Sequence, residues 1–328
     1  MTPAAFRLNF VGRRRILTHA VHHWRSAMKS SAEIISRASK LGIALPAFNI
    51  PFPPMMEPVV RAVAEEDSFA LVEVARIEWL TFEIEGPDRF MEEYRKCADP
   101  GHVRTHLDHV PVVDEEGHSV DFLPIIEKAI GLGFDSVMID GSHLELEANI
   151  AATRQIAALA HASSLPCEAE LGAILRFGTG KVPPYQELFA SGAGFTKVDE
   201  AVRFVQETRC DWLSISIGNI HGAVVAALRD KPKGESRLNL RHLETIYQAT
   251  GVPIVLHGGS GVRHEDVLEG MKKGIAKVNV GFEIRKAYED ALKSSGNVEA
   301  GQEAVFKRTR ALLKDYFRIS GIARSILS

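Results

Sequence analysis

From about residue 40 onward the chain alternates between short apolar runs and longer amphipathic stretches. Continuous apolar runs of four to eight residues bounded by Gly, Pro or Asp are typical of buried parallel strands. Amphipathic stretches of about ten residues or more predict helices packed outside them. The predicted strands cover residues 43–49, 70–75, 103–108, 136–140, 167–171, 212–217, 253–257 and 276–280. The predicted helices between and after them include residues 58–65, 120–132, 145–163, 199–208, 240–250, 265–273 and 283–294.

Eight strand-helix units in one chain predict an α/β fold, the (β/α)8 TIM barrel, with residues 301–316 as an extra C-terminal helix. A doubly wound open sheet is the alternative. Polar residues follow nearly every predicted strand, whereas an open sheet concentrates them at one switch point. The pattern therefore favours the barrel.

Three histidines stand where apolar runs end, and they are His109, His221 and His257. A polar residue at the C-terminal end of a barrel strand points into the mouth where active sites form. Three imidazoles and a carboxylate are the donors that a catalytic zinc requires. The sequence therefore predicts a zinc site at this mouth.

Carboxylates accompany these histidines. Asp108 precedes His109, Asp140 ends the fourth strand, and Glu168 and Glu170 lie two apart on the fifth. Strand alternation puts both glutamates on one face, where desolvating two carboxylates is costly unless a cation is present. For Asp140 the alternative is a cap of the following turn.

Glycine-rich segments follow the last two strands. Residues 257–261 read His-Gly-Gly-Ser-Gly, and Gly281 follows the eighth strand. Barrels often bind phosphate in these two loops, because glycines let backbone N–H groups approach an anion closely. We therefore expect a phosphate site beside the predicted metal.

Composition narrows the partners. The 328 residues are 45% hydrophobic and 25% charged, with a net charge of −3, which favours neither nucleic acid nor membrane as the partner. Cys97, Cys167 and Cys210 form no CxxC pair, so neither a disulfide framework nor a thiolate metal site is predicted. A reducing compartment, the cytoplasm, is the expected location.

The first thirty residues differ from the rest. They contain six basic side chains and no Asp or Glu before Glu33. An organelle transit peptide is one interpretation; an upstream start codon, with Met28 as the true initiator, is the favoured one. We interpret residues 1–30 as an extension and residues 31–328 as a single domain. The leader histidines, His19, His22 and His23, predict a polar helix face rather than a metal site.

Seven motif segments occur in order between about residue 30 and the end of the chain, at residues 47–49, 106–109, 133–143, 168–172, 217–222, 256–262 and 274–279. Together they resemble the class II, zinc-dependent ketose-bisphosphate aldolases, which act on fructose or tagatose bisphosphate. The resemblance implies reversible cleavage of a phosphorylated ketose to dihydroxyacetone phosphate and an aldehyde. It also implies a homo-oligomer, a dimer or a tetramer.

Carried over by position, the resemblance makes His109, His221 and His257 the zinc ligands and Asp108 the acid-base group on the aldehyde-derived oxygen. Glu170 matches an alternate metal ligand, and Asp140 lies near a second cation position, divalent or monovalent. The residues matching those that hold the phosphorylated ketone are Asn49, Gly222, Gly258, Ser260 and Asn279, with backbone donors at Gly281.

The chain departs from the family around the substrate. The loop after the fifth strand has Arg176 and Lys181 where the family has acidic residues, with Glu187 as a displaced alternative acid. A hydroxyl position after the eighth strand becomes Phe282. A Ser or Thr position after the second becomes Ala75, with acidic and basic neighbours at Glu73, Arg76 and Glu78. These changes predict a substrate other than fructose 1,6-bisphosphate, with an anionic far end.

Two other functions stay open. One is a metal-dependent epimerase or isomerase on a sugar phosphate; the other is a catalytically silent subunit, against which Asp108 argues. A zinc-free aldolase would need a Schiff-base lysine at the barrel mouth. The sixth strand ends without a lysine, and we expect Lys277 of the eighth strand to point outward between helices.

Overall fold

The computed structural model describes residues 28–172, 185–219, 236–259 and 261–328. Its strands are β1 Leu45–Asn49, β2 Ala70–Ala75, β3 Val103–Pro111, β4 Ser136–Asp140, β5 Cys167–Leu171, β6 Trp212–Ile215, β7 Ile254–Leu256 and β8 Ile275–Val280. The helices before β5 are α1 Ser31–Leu41, α2 Met56–Glu65, α3 Arg76–Thr81, α4 Pro87–Cys97, α5 Phe122–Leu132 and α6 Leu146–Ala162, with a short 3₁₀ turn at Pro53–Met55. The later helices are α7 Tyr185–Ser191, α8 Val198–Thr208, α9 Leu240–Thr250, α10 His264–Met271, α11 Phe282–Ser295, α12 Val298–Ala311 and α13 Ala323–Leu327.

The strands pair in parallel and in chain order, and β1 closes the barrel against β8. This confirms the predicted (β/α)8 barrel and excludes the open sheet. The bounds predicted for β2, β4 and β5 are those observed, whereas β3 runs three residues further than predicted, to Pro111. Cys167 is fully buried within β5, as expected of a small apolar residue in a strand.

Local sequence signals explain where helices begin and end. At the start of α1 the Ser30 hydroxyl accepts from the Glu33 N–H, while the Glu33 carboxylate accepts from the Ser30 N–H. This capping box satisfies two donors that the first turn would otherwise leave free. Gly42 ends the helix with φ +66°, a conformation that glycine adopts without a Cβ clash.

The predicted C-terminal helix over residues 301–316 is present and starts earlier. It comprises α12 and a π-helical turn at Leu312–Tyr316. It packs against α11 and α2 on the outside of the barrel, so its buried side chains extend the core. The extra element is confirmed.

Charged side chains occupy the barrel interior. The Lys277 ammonium lies 3.1 Å from a Glu73 oxygen and 3.0 Å from a Glu168 oxygen, and all three side chains are fully buried. The prediction that Lys277 points outward was wrong. Period-two alternation puts Lys277 on the same inward face as Asn279, and its Nζ donates to the Asn279 side-chain oxygen at 2.7 Å.

Burial raises the pKa of Glu73, and nearby Asp108 raises it further, well above its ordinary value. Burial disfavours the charged form of Lys277, but Glu168 and Glu73 outweigh it and raise the pKa of the lysine. Lys277 is therefore a protonated, doubly paired cation. It lacks the free amine that a Schiff-base nucleophile requires.

Replacing Lys277 with methionine should destabilise the protein by about 3–5 kcal/mol, because Glu73 and Glu168 would lose the cation they share. The second substitution Glu73→Gln should recover part of the loss, since it removes one of the two carboxylates. Urea unfolding followed by circular dichroism would measure both variants, with Lys40→Met on the surface of α1 as the control. A K277M variant as stable as the control would contradict this account of the interior.

Candidate metal and active site

An irregularity in β3 builds the centre of the site. The pairing of β3 with β4 shifts register between Leu107 and Val110, and His109 has φ +24°. A positive φ is strained for a non-glycine residue and costs about 1–3 kcal/mol. The bulge breaks strict alternation. Asp108 and His109, adjacent in sequence, therefore both reach the mouth of the barrel.

Two imidazoles meet at this mouth. His109 Nε2 lies 2.6 Å from His257 Nδ1, and the two rings meet edge to face. The Glu170 Oε2 atom lies 3.6 Å from the same His257 nitrogen and 3.8 Å from His109 Nδ1. The structure thus brings together two of the three predicted histidine ligands and the predicted alternate carboxylate ligand.

Each imidazole is oriented through its other nitrogen. His109 Nδ1 lies 3.1 Å from an Asp140 oxygen, and His257 Nε2 lies 2.7 Å from Glu168 Oε1. A carboxylate on the far nitrogen fixes the ring and raises its basicity, and metal-bound histidines almost always have such a partner. Asp140 therefore has a contact that the sequence did not predict, and its proximity to a second cation stays a prediction.

The charges at this centre favour a cation. Burial opposes protonation of His109, but Asp108 and the hydrogen bond to Asp140 raise its pKa to about 10. Burial and the neighbouring His109 lower the pKa of His257. The carboxylates around these two adjacent imidazoles therefore favour the protonated form of one of them, His109. Nitrogen and carboxylate donors in this setting fit a divalent metal such as zinc.

Asp108 is held by two amides. Asn49 Nδ2 donates to one carboxylate oxygen and Asn279 Nδ2 donates to the other, both at 3.0 Å. Burial disfavours the charged form, but His109 and Lys277 outweigh it and lower the pKa of Asp108. Asp108 is therefore an ionised, fixed carboxylate beside the metal donors, which suits a base. The resemblance assigns both asparagines to the substrate, whereas in the structure the side-chain nitrogen of each donates to Asp108.

The glycine-rich ends of β7 and β8 lie at the same mouth. Gly258 follows His257 with φ +67°. A Cβ at Gly281 would lie 3.3 Å from the Asn49 side-chain oxygen, so a larger residue there would crowd Asn49. The assignment of these glycines to a phosphate site stays a prediction.

Several predicted residues lie outside the described part of the chain. They are His221, Gly222, Ser260, Arg176 and Lys181. Just before His221, the Asn219 side chain accepts from the Ile217 N–H and donates to the His257 carbonyl at 3.1 Å. The end of β6 is thus joined to the end of β7, next to a predicted ligand.

Some of the residues at which the chain departs from the family's pattern lie in its described part. Glu187 lies on α7 with its side chain exposed, and Ala75 is buried at the end of β2. Glu78 folds back from α3, so that its Oε2 accepts from the Ala75 N–H at 2.8 Å and from Asn49 Nδ2 at 3.3 Å. The sequence placed Glu78 near this position and did not predict its link to Asp108 through Asn49.

Sequence reasoning missed the buried partners of the site. His106 Nε2 lies 3.4 Å from a Glu168 oxygen, and its Nδ1 lies 2.8 Å from the Ser136 hydroxyl. His106 is two residues before Asp108, just as Lys277 is two before Asn279. Period-two alternation from each predicted site residue would have found both.

Comparisons with known proteins show the family of this chain. Residues 29–321 match the family described as Fructose-bisphosphate aldolase class-II. The chain is 31% identical over 289 residues to a fructose-bisphosphate aldolase of Streptococcus pyogenes, covering 84% of this chain and 86% of that protein. It is 34% identical over 206 residues to a 6-phospho-5-dehydro-2-deoxy-D-gluconate aldolase of Shouchella clausii, covering 63% of each.

Solved structures give the same result. The YdjI aldolase from Escherichia coli K12 superposes with a TM-score of 0.71 at 26% identity, covering 89% of this chain and 98% of that chain. Within the described ranges, no helix combines the length and apolarity needed to cross a bilayer. The family match covers most of this chain, and the similar sequences and the similar solved structure are both of aldolases. The chain therefore belongs to the class II fructose-bisphosphate aldolase family and is an aldolase-type lyase.

Proposed function

We propose that this protein is a zinc-dependent aldolase that reversibly cleaves a phosphorylated ketose to dihydroxyacetone phosphate and an aldehyde. The observation that carries the proposal is the pair of facing imidazole nitrogens of His109 and His257, each ring held from behind by a carboxylate. Asp108, ionised and fixed by two asparagines, lies directly beside them. A structural metal would need no such base.

His109 and His257 would hold the metal, with His221 as the third ligand and Glu170 as the alternate one. A bound zinc supplies a Lewis acid that stabilises negative charge on the ketone half of the substrate. Asp108 takes the proton from the hydroxyl on the carbon that becomes the aldehyde. The bond between C3 and C4 then breaks, and its electron pair goes to the ketone half.

The remaining residues would hold the substrate in place. Asn49 and Asn279 keep the Asp108 carboxylate in one orientation, which a general base requires before its proton transfer. Backbone N–H groups and one hydroxyl would bind the phosphate of the ketone half, and these donors belong to Gly222, Gly258, Ser260 and Gly281. Asp140, beyond orienting His109, would lie near a second cation.

The substrate is proposed to be anionic at its far end, carrying phosphate or carboxylate. Arg176 and Lys181 stand in a loop where acidic residues are the family's pattern. The name of the Shouchella clausii relative is that of an aldolase for a phosphorylated keto acid, which carries both a phosphate and a carboxylate. This supports a substrate other than fructose 1,6-bisphosphate.

The organisation of the chain is inferred with the function. We infer that residues 31–328 form a single catalytic domain, which the family match over residues 29–321 supports. Assembly into a homo-oligomer and a cytoplasmic location stay predictions.

Purified protein should contain about one zinc per chain and should release dihydroxyacetone phosphate from a ketose bisphosphate only in the absence of EDTA. Asp108→Asn should keep the zinc and lower kcat by about a hundredfold to ten-thousandfold, because it removes the base but no metal ligand. His257→Ala should lose both zinc and activity. Metal analysis and a coupled assay on fructose and tagatose 1,6-bisphosphate would measure this.

Three outcomes would count against the proposal. Cleavage that survives EDTA in zinc-free protein would contradict metal dependence. Conversion of the ketose to an isomer with no aldehyde release would indicate the epimerase or isomerase instead. Zinc-loaded protein that neither cleaves a panel of ketose phosphates nor isomerises them would indicate the catalytically silent subunit.

Replacing both Arg176 and Lys181 with alanine should raise KM roughly tenfold or more for a substrate with an anionic far end, since two charge-assisted contacts are lost. For a substrate whose far end is neutral, KM should change little. Steady-state kinetics on both substrates would measure the difference, with Arg37→Ala/Lys40→Ala on the exposed face of α1 as the charge-matched control. An unchanged KM for the anionic substrate would remove this role for the loop.

A further inference from the structure

Glu78 is a second carboxyl group on the same side of the site as Asp108. α3 begins directly after β2, and the Glu78 side chain folds back over that junction. Its Oε2 accepts from the Ala75 N–H and from Asn49 Nδ2, and the same Asn49 nitrogen donates to Asp108 Oδ2. One amide therefore joins the two carboxyl groups and fixes the spacing between them.

The two carboxyl groups differ in charge. Burial raises the pKa of Glu78, the Ala75 N–H opposes the shift, and nearby Asp108 raises it again, to about 8. At neutral pH Glu78 is therefore mostly a neutral acid beside an ionised one. Because its Oε2 accepts two hydrogen bonds, the proton belongs on Oε1, which can donate to a ligand.

The position of Glu78 relates it to one half of the substrate. In the proposed function, Asp108 acts on the hydroxyl of the carbon that becomes the aldehyde. Because Glu78 shares Asn49 with Asp108, it would lie beside the neighbouring carbon of that half. Ala75, at the end of β2, contributes a methyl group and no side-chain polar atom.

We propose that Glu78 determines specificity for the aldehyde half by binding the hydroxyl on the carbon next to the aldehyde carbon. Two carboxyl groups bridged by one amide suit two hydroxyls on adjacent carbons, one for each group. A neutral Glu78 also avoids repelling an anionic substrate. The inference rests on the proposed aldolase function and adds a group that discriminates between aldehydes.

The test uses the full-length, zinc-loaded protein in the condensation direction. Dihydroxyacetone phosphate is offered with glycolaldehyde, which has the hydroxyl in question, or with acetaldehyde, which lacks it. A second readout is exchange of the dihydroxyacetone phosphate C–H proton with deuterated solvent, which needs no aldehyde. The variants are Glu78→Ala, Glu78→Gln and, as an exposed acidic control beyond α3, Glu83→Ala.

The wild type should prefer glycolaldehyde in kcat/KM. E78A should lower that preference roughly tenfold, the value of about one hydrogen bond, and should affect condensation with glycolaldehyde far more than proton exchange. E78Q should keep most of the preference, because its amide can accept from Ala75 and still donate. E83A should match the wild type in both readouts.

The outcomes separate the two proposals. Equal loss of both aldehydes and of exchange in E78A and E78Q would make Glu78 structural and would overturn the inference alone. So would a wild type that exchanges protons but does not prefer glycolaldehyde. A wild type that neither exchanges dihydroxyacetone phosphate nor condenses it would overturn the proposed function and, with it, the inference.

Discussion

The structure depends on balancing negative charge inside the barrel. Five acidic side chains, those of Glu73, Asp108, Asp140, Glu168 and Glu170, are buried in the interior and at its mouth. Within the described residues that line this region, Lys277 supplies the permanent positive charge, and it pairs with Glu73 and Glu168. Isolated buried carboxylates are expensive, so the upper part of the site needs a further cation.

The charged residues lie at two levels of the barrel, and the two levels have different roles. At the level of Lys277 the charges are paired within the protein, and this fixes Glu168 behind His257 and Asn279 beside Asp108. One layer higher, His109 is driven toward its protonated form by its carboxylate neighbours. A divalent metal held by these donors would supply positive charge at the same place. The buried lysine and the proposed metal centre are therefore parts of one electrostatic arrangement.

The fold could be predicted from sequence because its signals are local and repeated. Apolar runs occur eight times, with amphipathic stretches between them and polar residues after nearly all of them, so an error of two residues in β6 or β7 does not change the barrel. The positions of His109 and His257, the proposed metal donors, were predictable for the same reason. Their outer partners were not, because pairing Asp140 with His109 requires the register between β3 and β4, which the bulge at His109 shifts.

Lys277 shows how a single prediction can fail. Its charge argued for the surface, since lysine is seldom fully buried without a partner. The partner comes from β2, more than two hundred residues earlier in the chain, and no local pattern links Glu73 to it. Alternation from Asn279 was the stronger signal, because a strand in a closed barrel has only two faces. The position of a residue in its strand therefore predicts the direction of its side chain better than the charge of the side chain does.

In the proposed function, the groups that perform the reaction are separate from those that select the substrate. The proposed metal donors His109 and His257, and Asp108, lie on or directly after barrel strands and make hydrogen bonds to side chains of other strands. Glu78 lies beyond the end of β2, at the start of α3, and Arg176 and Lys181 come after β5 in the sequence. Segments outside the barrel can change without disturbing strand pairing. On the proposed function, the chain can therefore keep the metal donors and the base while its substrate contacts differ from the family's pattern.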